Sequence, residues 1–237
     1  MQLERVIGAS VESVEARGKH LLIAFDDGLT LHTHLGLHGS WHRYRRGEQW
    51  RRAASRAAAV LETERTVAVC FDAPTAELLE TRAVEIHPAL RRLGPDVARD
   101  DVDVEAAVRR LRSLGDVAVG DALLDQAAVA GLGNVYRSEL CFIERVNPFT
   151  PVSVVSDEAL RAMLERGATF VRLNSGGGAR VTTTAGTPGN HYVYGRTGRP
   201  CHRCGTAIKS AVGTSSSGYG PRRVYWCPTC QPPASHP

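Results

Sequence analysis

Two Cys-x-x-Cys pairs, Cys201 with Cys204 and Cys227 with Cys230, stand 22 residues apart near the end of this 237-residue chain. No other feature restricts the local fold so tightly. Each pair can wrap one side of a tetrahedral ion while the segment between them returns as a hairpin, and four thiolates leave no open position for water or substrate. The pattern therefore predicts a structural zinc ion (Zn2+) rather than a catalytic one. The separation exceeds the usual window of about 15 to 20 residues, so the hairpin should be slightly long, with residues 213–218 (Gly-Thr-Ser-Ser-Ser-Gly) as its flexible tip. Cys70 and Cys141 stand alone, which fits a reducing compartment better than a disulfide framework.

The charge is distributed unevenly along the chain. Residues 166–237 hold nine of the 29 Lys and Arg and none of the Asp and Glu, leaving 20 basic and 25 acidic side chains in residues 1–165. Four thiolates and one zinc would lower the +9 of the terminal segment only to +7, enough to neutralise several phosphates and make binding depend on salt. The basic end is thus the end expected to face a polyanion. No run of about 18 apolar residues would cross a membrane, and Met1-Gln2-Leu3-Glu4-Arg5 lacks the pattern of a secretory signal. The expected location is the cytoplasm.

Hydropathy divides the rest into two parts. From Ser10 to Val69 the signals are those of strands and hairpins: Val11 to Val14, Leu21 to Phe25, an Asp26-Asp27-Gly28 turn, Leu29 to Leu31, and Thr66 to Val69. After Leu93-Gly94-Pro95-Asp96, apolar residues recur at helical spacing in Val104 to Leu114, Gly120 to Ala128, Val135 to Glu144 and Asp157 to Leu173. Asn174 to Asn190 shows no apolar period and predicts a mobile loop or linker. His32, His34, His38 and His42 recur every two or four residues without an evident partner, and are read as strand or surface residues rather than ligands.

Three ordered blocks carry more specific information. The first runs from Arg17-Gly18-Lys19-His20 through Leu31-His32-Thr33-His34-Leu35-Gly36-Leu37-His38-Gly39. The second runs from Leu123-Leu124-Asp125-Gln126 through Gly131-Leu132-Gly133-Asn134-Val135-Tyr136-Arg137-Ser138-Glu139. The third joins Val193-Tyr194-Gly195-Arg196 to the cysteines and ends Arg222-Arg223-Val224-Tyr225-Trp226-Cys227. In the second block, Gly131 and Gly133 allow a tight turn that brings backbone close to a phosphate, and Asn134 at a helix start offers a cap and donors at the positive helix end. In the third, alternation along the returning strand sends Arg222 and Arg223 to opposite faces, so that one can reach a ligand.

Together these blocks resemble the formamidopyrimidine-DNA glycosylase and endonuclease VIII family across nearly the whole chain, and within it the bacterial endonuclease VIII-like members. The resemblance implies an α+β protein: an N-terminal β-sandwich lacking its first helix (residues 1–92), a helix-two-turn-helix DNA-binding domain (93–190) and a C-terminal zinc hairpin (191–237). It implies a monomer at the nucleoid that binds damaged or abasic double-stranded DNA between its halves. The activity implied is that of a bifunctional glycosylase and AP lyase, which flips a damaged base out, excises it and cleaves the strand. Lys19 would contact phosphates around the lesion, with a possible chemical role, and Leu37 would fill the gap left in the stack. Gly133 and Asn134 would lie on the DNA, and Arg222 would grip the backbone with its planar fork, Arg223 serving instead if the hairpin register shifts by one. The loop in 174–190 would contact the damaged base. An RNA-binding zinc module fits the charge but not the Lys19 and Gly-Leu-Gly-Asn blocks.

The chain departs from the family at its start. Members begin with a proline, whose secondary amine attacks the sugar C1′, followed by a glutamate that helps protonate the opening sugar. Met1-Gln2-Leu3-Glu4 matches neither. Two readings stay open: a start placed too far downstream in an active enzyme, or a non-catalytic damaged-DNA-binding relative. The intact Lys19, Asn134 and Arg222 favour the first. As written, the chain is expected to bind abasic DNA with little lyase activity, because Lys19 is committed to phosphate and neither Lys209 nor the Met1 amine matches the nucleophile.

Overall fold

Alternating hydropathy in the first ninety residues folds into seven antiparallel strands: β1 (Val11–Arg17), β2 (His20–Phe25), β3 (Leu29–His34), β4 (Ser40–Arg45), β5 (Ala57–Glu62), β6 (Thr66–Phe71) and β7 (Thr75–Glu80). The computed structural model describes residues 3–176, 178–213 and 222–233, and divides the chain into units Met1–Arg91 and Arg92–Pro237. In the first unit the strands form a four-stranded sheet, β1-β2-β3-β7, and a three-stranded sheet, β4-β6-β5. Ile23, Phe25, Leu29 and Leu31 from one sheet meet Ala59 and Cys70 from the other in a shared core. Each fully buried large side chain there contributes about 1.5–3 kcal/mol.

The sequence does not single out β4, β5 or β7. Ala-Ala-Ala-Val-Leu-Glu and Thr-Ala-Glu-Leu-Leu-Glu are rich in helix formers, yet pairing with β6 and β3 overrides that preference. The Asp26-Asp27-Gly28 turn forms as expected. Gly28 takes φ +80°, and the Asp27 carboxylate accepts the Leu29 N–H at 3.0 Å.

The histidines differ from expectation. His32 and His34 are strand residues, but both are buried, and with His20 they line the face of β2 and β3 opposite the sandwich core. His20 Nδ1 lies 2.8 Å from His32 Nε2. Burial, reinforced by the charges of His34, His32, His87 and Lys19, pushes the His20 pKa down to about 4. His42 is also engaged, with Ser40 and the Tyr44 hydroxyl; His38 is exposed in the turn after β3.

After α1 (Pro88–Arg91), the second unit contains α2 (Val104–Arg112), α3 (Val119–Ala122), α4 (Asn134–Ile143) and α5 (Asp157–Leu173), then a hairpin of β8 (Lys209–Val212) and β9 (Arg223–Trp226). Asp103 and Ser156 cap α2 and α5 by accepting the N–H groups of Ala106 and Ala159. The apolar stripes of α2, α4 and α5 converge on one core with Val119, Leu123, Val129 and Leu132.

The helix expected from Gly120 to Ala128 stops at Ala122. Asp125 turns its carboxylate to the Ala127 N–H, and the Gln126 amide bonds the carbonyls of Leu124 and Leu132 and the Gly131 N–H. These side-chain bonds compete with the helical ladder, while Ala122, Leu123, Leu124 and Ala128 stay buried. Residues 174–190 contain no helix or strand among those described, but they are pinned rather than free: Asn174 Oδ1 accepts the Val181 N–H at 2.7 Å, and Thr182 is 2% exposed. Of the anticipated hairpin tip, residues 214–218 lie outside the described residues. No helix among the described residues is long and apolar enough to cross a membrane.

Candidate nucleic-acid interface and metal centre

The two glycines before α4 set its entry. Gly131 has φ +93°, a conformation in which any side chain is strained, and a Cβ there would also come within 2.9 Å of the Asp96 carboxylate Oδ1. Gly133, in extended conformation, occupies the N-cap position without a side-chain capping bond. Asn134 therefore does not act as the anticipated cap. As the first helical residue it donates from Nδ2 to the Arg223 carbonyl at 3.1 Å, and its buried Oδ1 has no hydrogen-bond partner among the described residues.

One face of α4 holds the strand that carries the two arginines. Arg137, 1% exposed, donates from Nη1 to Asp121 Oδ1 and from Nη2 to the Arg222 carbonyl, each at 2.8 Å. Burial lowers the Arg137 pKa and Asp121 counteracts it, so the guanidinium stays charged, while its buried Nε has no hydrogen-bond partner among the described residues. Ser138 Oγ accepts the Tyr225 N–H at 3.4 Å. Residues 134, 137 and 138 share a helix face by their spacing, and so the backbone from Arg222 to Tyr225 is held at three points. Across the hairpin Arg223 reaches Ser210 Oγ at 3.1 Å; Arg222 is half-buried.

The middle and end of α4 fix the rest of the module. Glu139, fully buried, accepts the Thr182 hydroxyl at 2.5 Å and the N–H groups of Tyr192, Val193 and Tyr194, each at 2.8 Å. One carboxylate thus anchors both the irregular loop and the segment leading into the cysteines, through charge-assisted bonds. Arg203 donates to the carbonyls of Phe142 and Ile143 and stacks 4.3 Å from the Phe142 ring, capping the negative end of the helix. Sequence reading missed the roles of Arg137, Glu139 and Arg203. The first two were visible only as two of the four polar residues of α4.

The four paired cysteines converge. Their sulfurs all lie within 4.8 Å of one another, with Cys201 to Cys230 at 3.9 Å and Cys204 to Cys227 at 3.5 Å. Metal–sulfur bonds of about 2.3 Å in a tetrahedron separate sulfurs by about 3.8 Å, so the cage fits a metal without rearrangement. The N–H groups of Arg203 and Cys230 point at Cys201 and Cys227 sulfur from 3.4 Å, as bound thiolates require. Gln231, fully buried, accepts the Cys227 N–H and donates to the Val146 carbonyl, while its own carbonyl accepts from Asn147. That network ties the cage to the helical core.

Gly133, Asn134 and Arg222 are therefore brought together at the start of α4. Lys19 and Leu37 belong to the first unit, both on turns. Lys19 follows Gly18 (φ +58°) between β1 and β2 and is half-buried. Leu37, between β3 and β4, is 61% exposed.

This combination of sandwich, helical core and cysteine hairpin recurs in solved structures. It is similar to the Lactococcus lactis Fpg in complex with DNA containing an abasic site, with TM-score 0.78 at 22% identity, covering 95% of this chain and 83% of that one. A complex of the same Fpg with Fapy-dG-containing DNA gives TM-score 0.78 at 23% identity, covering 94% and 83%. In sequence, the formamidopyrimidine-DNA glycosylase N-terminal domain matches residues 2–75 and the H2TH domain of that glycosylase matches residues 93–174. The chain is 40% identical over 233 residues to the probable endonuclease 8 2 of Streptomyces coelicolor, covering 97% of this chain and 82% of that protein. It is 38% identical over 225 residues to the DNA-(apurinic or apyrimidinic site) lyase Nei2 of Mycolicibacterium smegmatis, covering 94% and 83%. The chain belongs to the formamidopyrimidine-DNA glycosylase and endonuclease VIII family.

Proposed function

We propose that the protein is a base-excision-repair glycosylase with AP lyase activity, acting as a monomer on damaged bases in duplex DNA at the nucleoid. One observation carries the reading of its DNA grip: α4 gathers Gly133, Asn134 and the Arg222 backbone at one place in a unit whose last 72 residues hold no acidic side chain. In this reading Arg222 and Lys19 contact phosphates, Gly133 lets backbone approach one closely, and Leu37 enters the stack where the damaged nucleotide has left. The tetrathiolate cage holds zinc, which closes the hairpin base and sets the direction of Arg222. The reaction itself needs an unprotonated amine that attacks C1′ and displaces the base, giving a Schiff base from which elimination breaks the strand. No residue placed here is assigned that step.

The test uses protein from the whole reading frame, including whatever precedes Met1. With duplex carrying one abasic site and sodium borohydride, a covalent complex and strand incision are expected. Equal affinity for abasic and intact duplex would overturn the reading of damage recognition. Tight abasic binding without trapping or incision would replace the enzyme by a non-catalytic binder.

A further inference from the structure

The face of the first sheet opposite its core concentrates imidazoles that DNA repair does not account for. Antiparallel register places His32 of β3 directly across from Glu77 of β7, and His20 of β2 across from His34. His87, just beyond the 3-10 turn Thr81–Ile86, folds back onto the same spot. His32 Nδ1 lies 2.8 Å and His87 Nε2 3.2 Å from one and the same oxygen, Glu77 Oε1, and donor atoms of all three lie within 4.8 Å of one another.

We infer that His32, Glu77 and His87 form a second metal site, separate from the cysteine cage, which takes a divalent transition ion of the zinc type. Two imidazoles and a carboxylate are the donor set of a three-ligand zinc site with one position open to water, and imidazole donors select against magnesium and calcium. Bonds of about 2.0–2.2 Å in a tetrahedral field separate ligand atoms by roughly 3.3–3.5 Å. The observed 2.8 and 3.2 Å thus need to open by roughly 0.5–0.7 Å and roughly 0.1–0.3 Å, within reach of side-chain rotation. One further feature suits a ligand shell better than a plain hydrogen-bonded pair. His32 binds through Nδ1 while its Nε2 is held by His20 at 2.8 Å, the outer contact that orients metal-binding histidines. Access is open, because the Glu77 side chain is 39% exposed whereas His32 is 1% exposed. The ion would enter past the carboxylate and close β3, β7 and the His87 turn onto one another.

Cobalt(II) titration of the metal-free full chain tests this, because the two sites differ in spectrum. The cysteine cage gives an intense thiolate-to-cobalt band in the near ultraviolet, whereas a site of nitrogen and oxygen ligands gives only weak visible bands. Two equivalents are expected, one of each kind. Glu77→Gln, nearly isosteric, and His87→Ala, on a turn, should each remove the second signal and leave the first; His20→Asn should weaken the second by about 10- to 100-fold. A parent that shows only the thiolate signal, or a second signal that persists in both Glu77→Gln and His87→Ala, would overturn the site. Loss of the thiolate signal alone would count against the cysteine cage and leave this inference standing.

Discussion

The two units hold their candidate DNA-facing residues by different means. In the sandwich, Lys19 and Leu37 ride on turns whose ends are fixed by adjacent strand pairing, β1 with β2 for the first, β3 and β4 flanking the second. In the helical unit, Asn134 and Arg137 reach 89 and 85 residues along the chain to bind the carbonyls of Arg223 and Arg222. A turn residue can be changed with little effect on the scaffold that presents it. A residue in a buried charged network cannot, because its removal leaves partners desolvated and unpaired. The first unit should therefore separate function from stability, and the second should couple them.

The strongest challenge to that contrast is removal of the zinc proposed for the cysteine cage. Chelation should release stabilisation on the order of 10 kcal/mol from the cysteine module and abolish amide protection of β8 and β9, leaving the core strands of the sandwich protected in hydrogen exchange. The same sample reports on its thiols. Burial pushes Cys70 up to about 11 and Cys141 up to about 12, so at pH 8 their thiolate fractions are roughly one in a thousand and one in ten thousand. Native chelated protein should lose four thiols rapidly to iodoacetamide and keep two. Loss of protection across both units would show that the module's stability is not local.

Glu139→Ala comes next in size. It strands three backbone N–H groups and a hydroxyl in a dry site and should cost about 3–5 kcal/mol in denaturant unfolding, with DNA affinity falling alongside. A cost below about 1 kcal/mol would mean that the loop and the cysteine lead are held by something other than this carboxylate.

Smaller effects are expected at the phosphate contacts. Lys19→Ala and Arg222→Ala should each reduce the salt slope of abasic-DNA binding by about one, and Lys19→Ala should change stability by less than about 1 kcal/mol. Unchanged slopes would remove these side chains from the interface. Leu37→Ala sharpens the contrast most finely. Stability should stay within about 0.5 kcal/mol and the salt slope should not move, while affinity for duplex with an extrahelical nucleotide declines. A clear loss of stability would make Leu37 a packing residue despite its exposure.

Short-range sequence signals foretold much of this molecule. Each Cys-x-x-Cys pair, the Asp-Asp-Gly turn, the apolar period of α2, α4 and α5, and the Gly-x-Gly-Asn entry to α4 depend on residues within a turn or two of one another, where local sterics and hydrogen bonds decide the outcome. The same reasoning failed where local and distant demands conflict. β5 and β7 carry helix-forming residues but lie against paired strands, and Gly120 to Ala128 has helical apolar spacing while Asp125 and Gln126 spend their side chains on nearby backbone.

What only the tertiary structure decided is the identity of the partners. Asn134 reads as a cap because its type and place suit one, yet its amide is taken by a carbonyl 89 residues away. Glu139 reads as one more residue of a motif until the fold brings Thr182 and three amides to it from 43 to 55 positions downstream. The strand histidines show no partner in sequence, because register supplies Glu77 from 45 residues ahead and a turn brings His87. Motifs whose parts are close in the chain are written into it directly. A buried polar group must find its partner wherever packing puts one, since leaving it unpaired costs more than the local structure it would otherwise prefer.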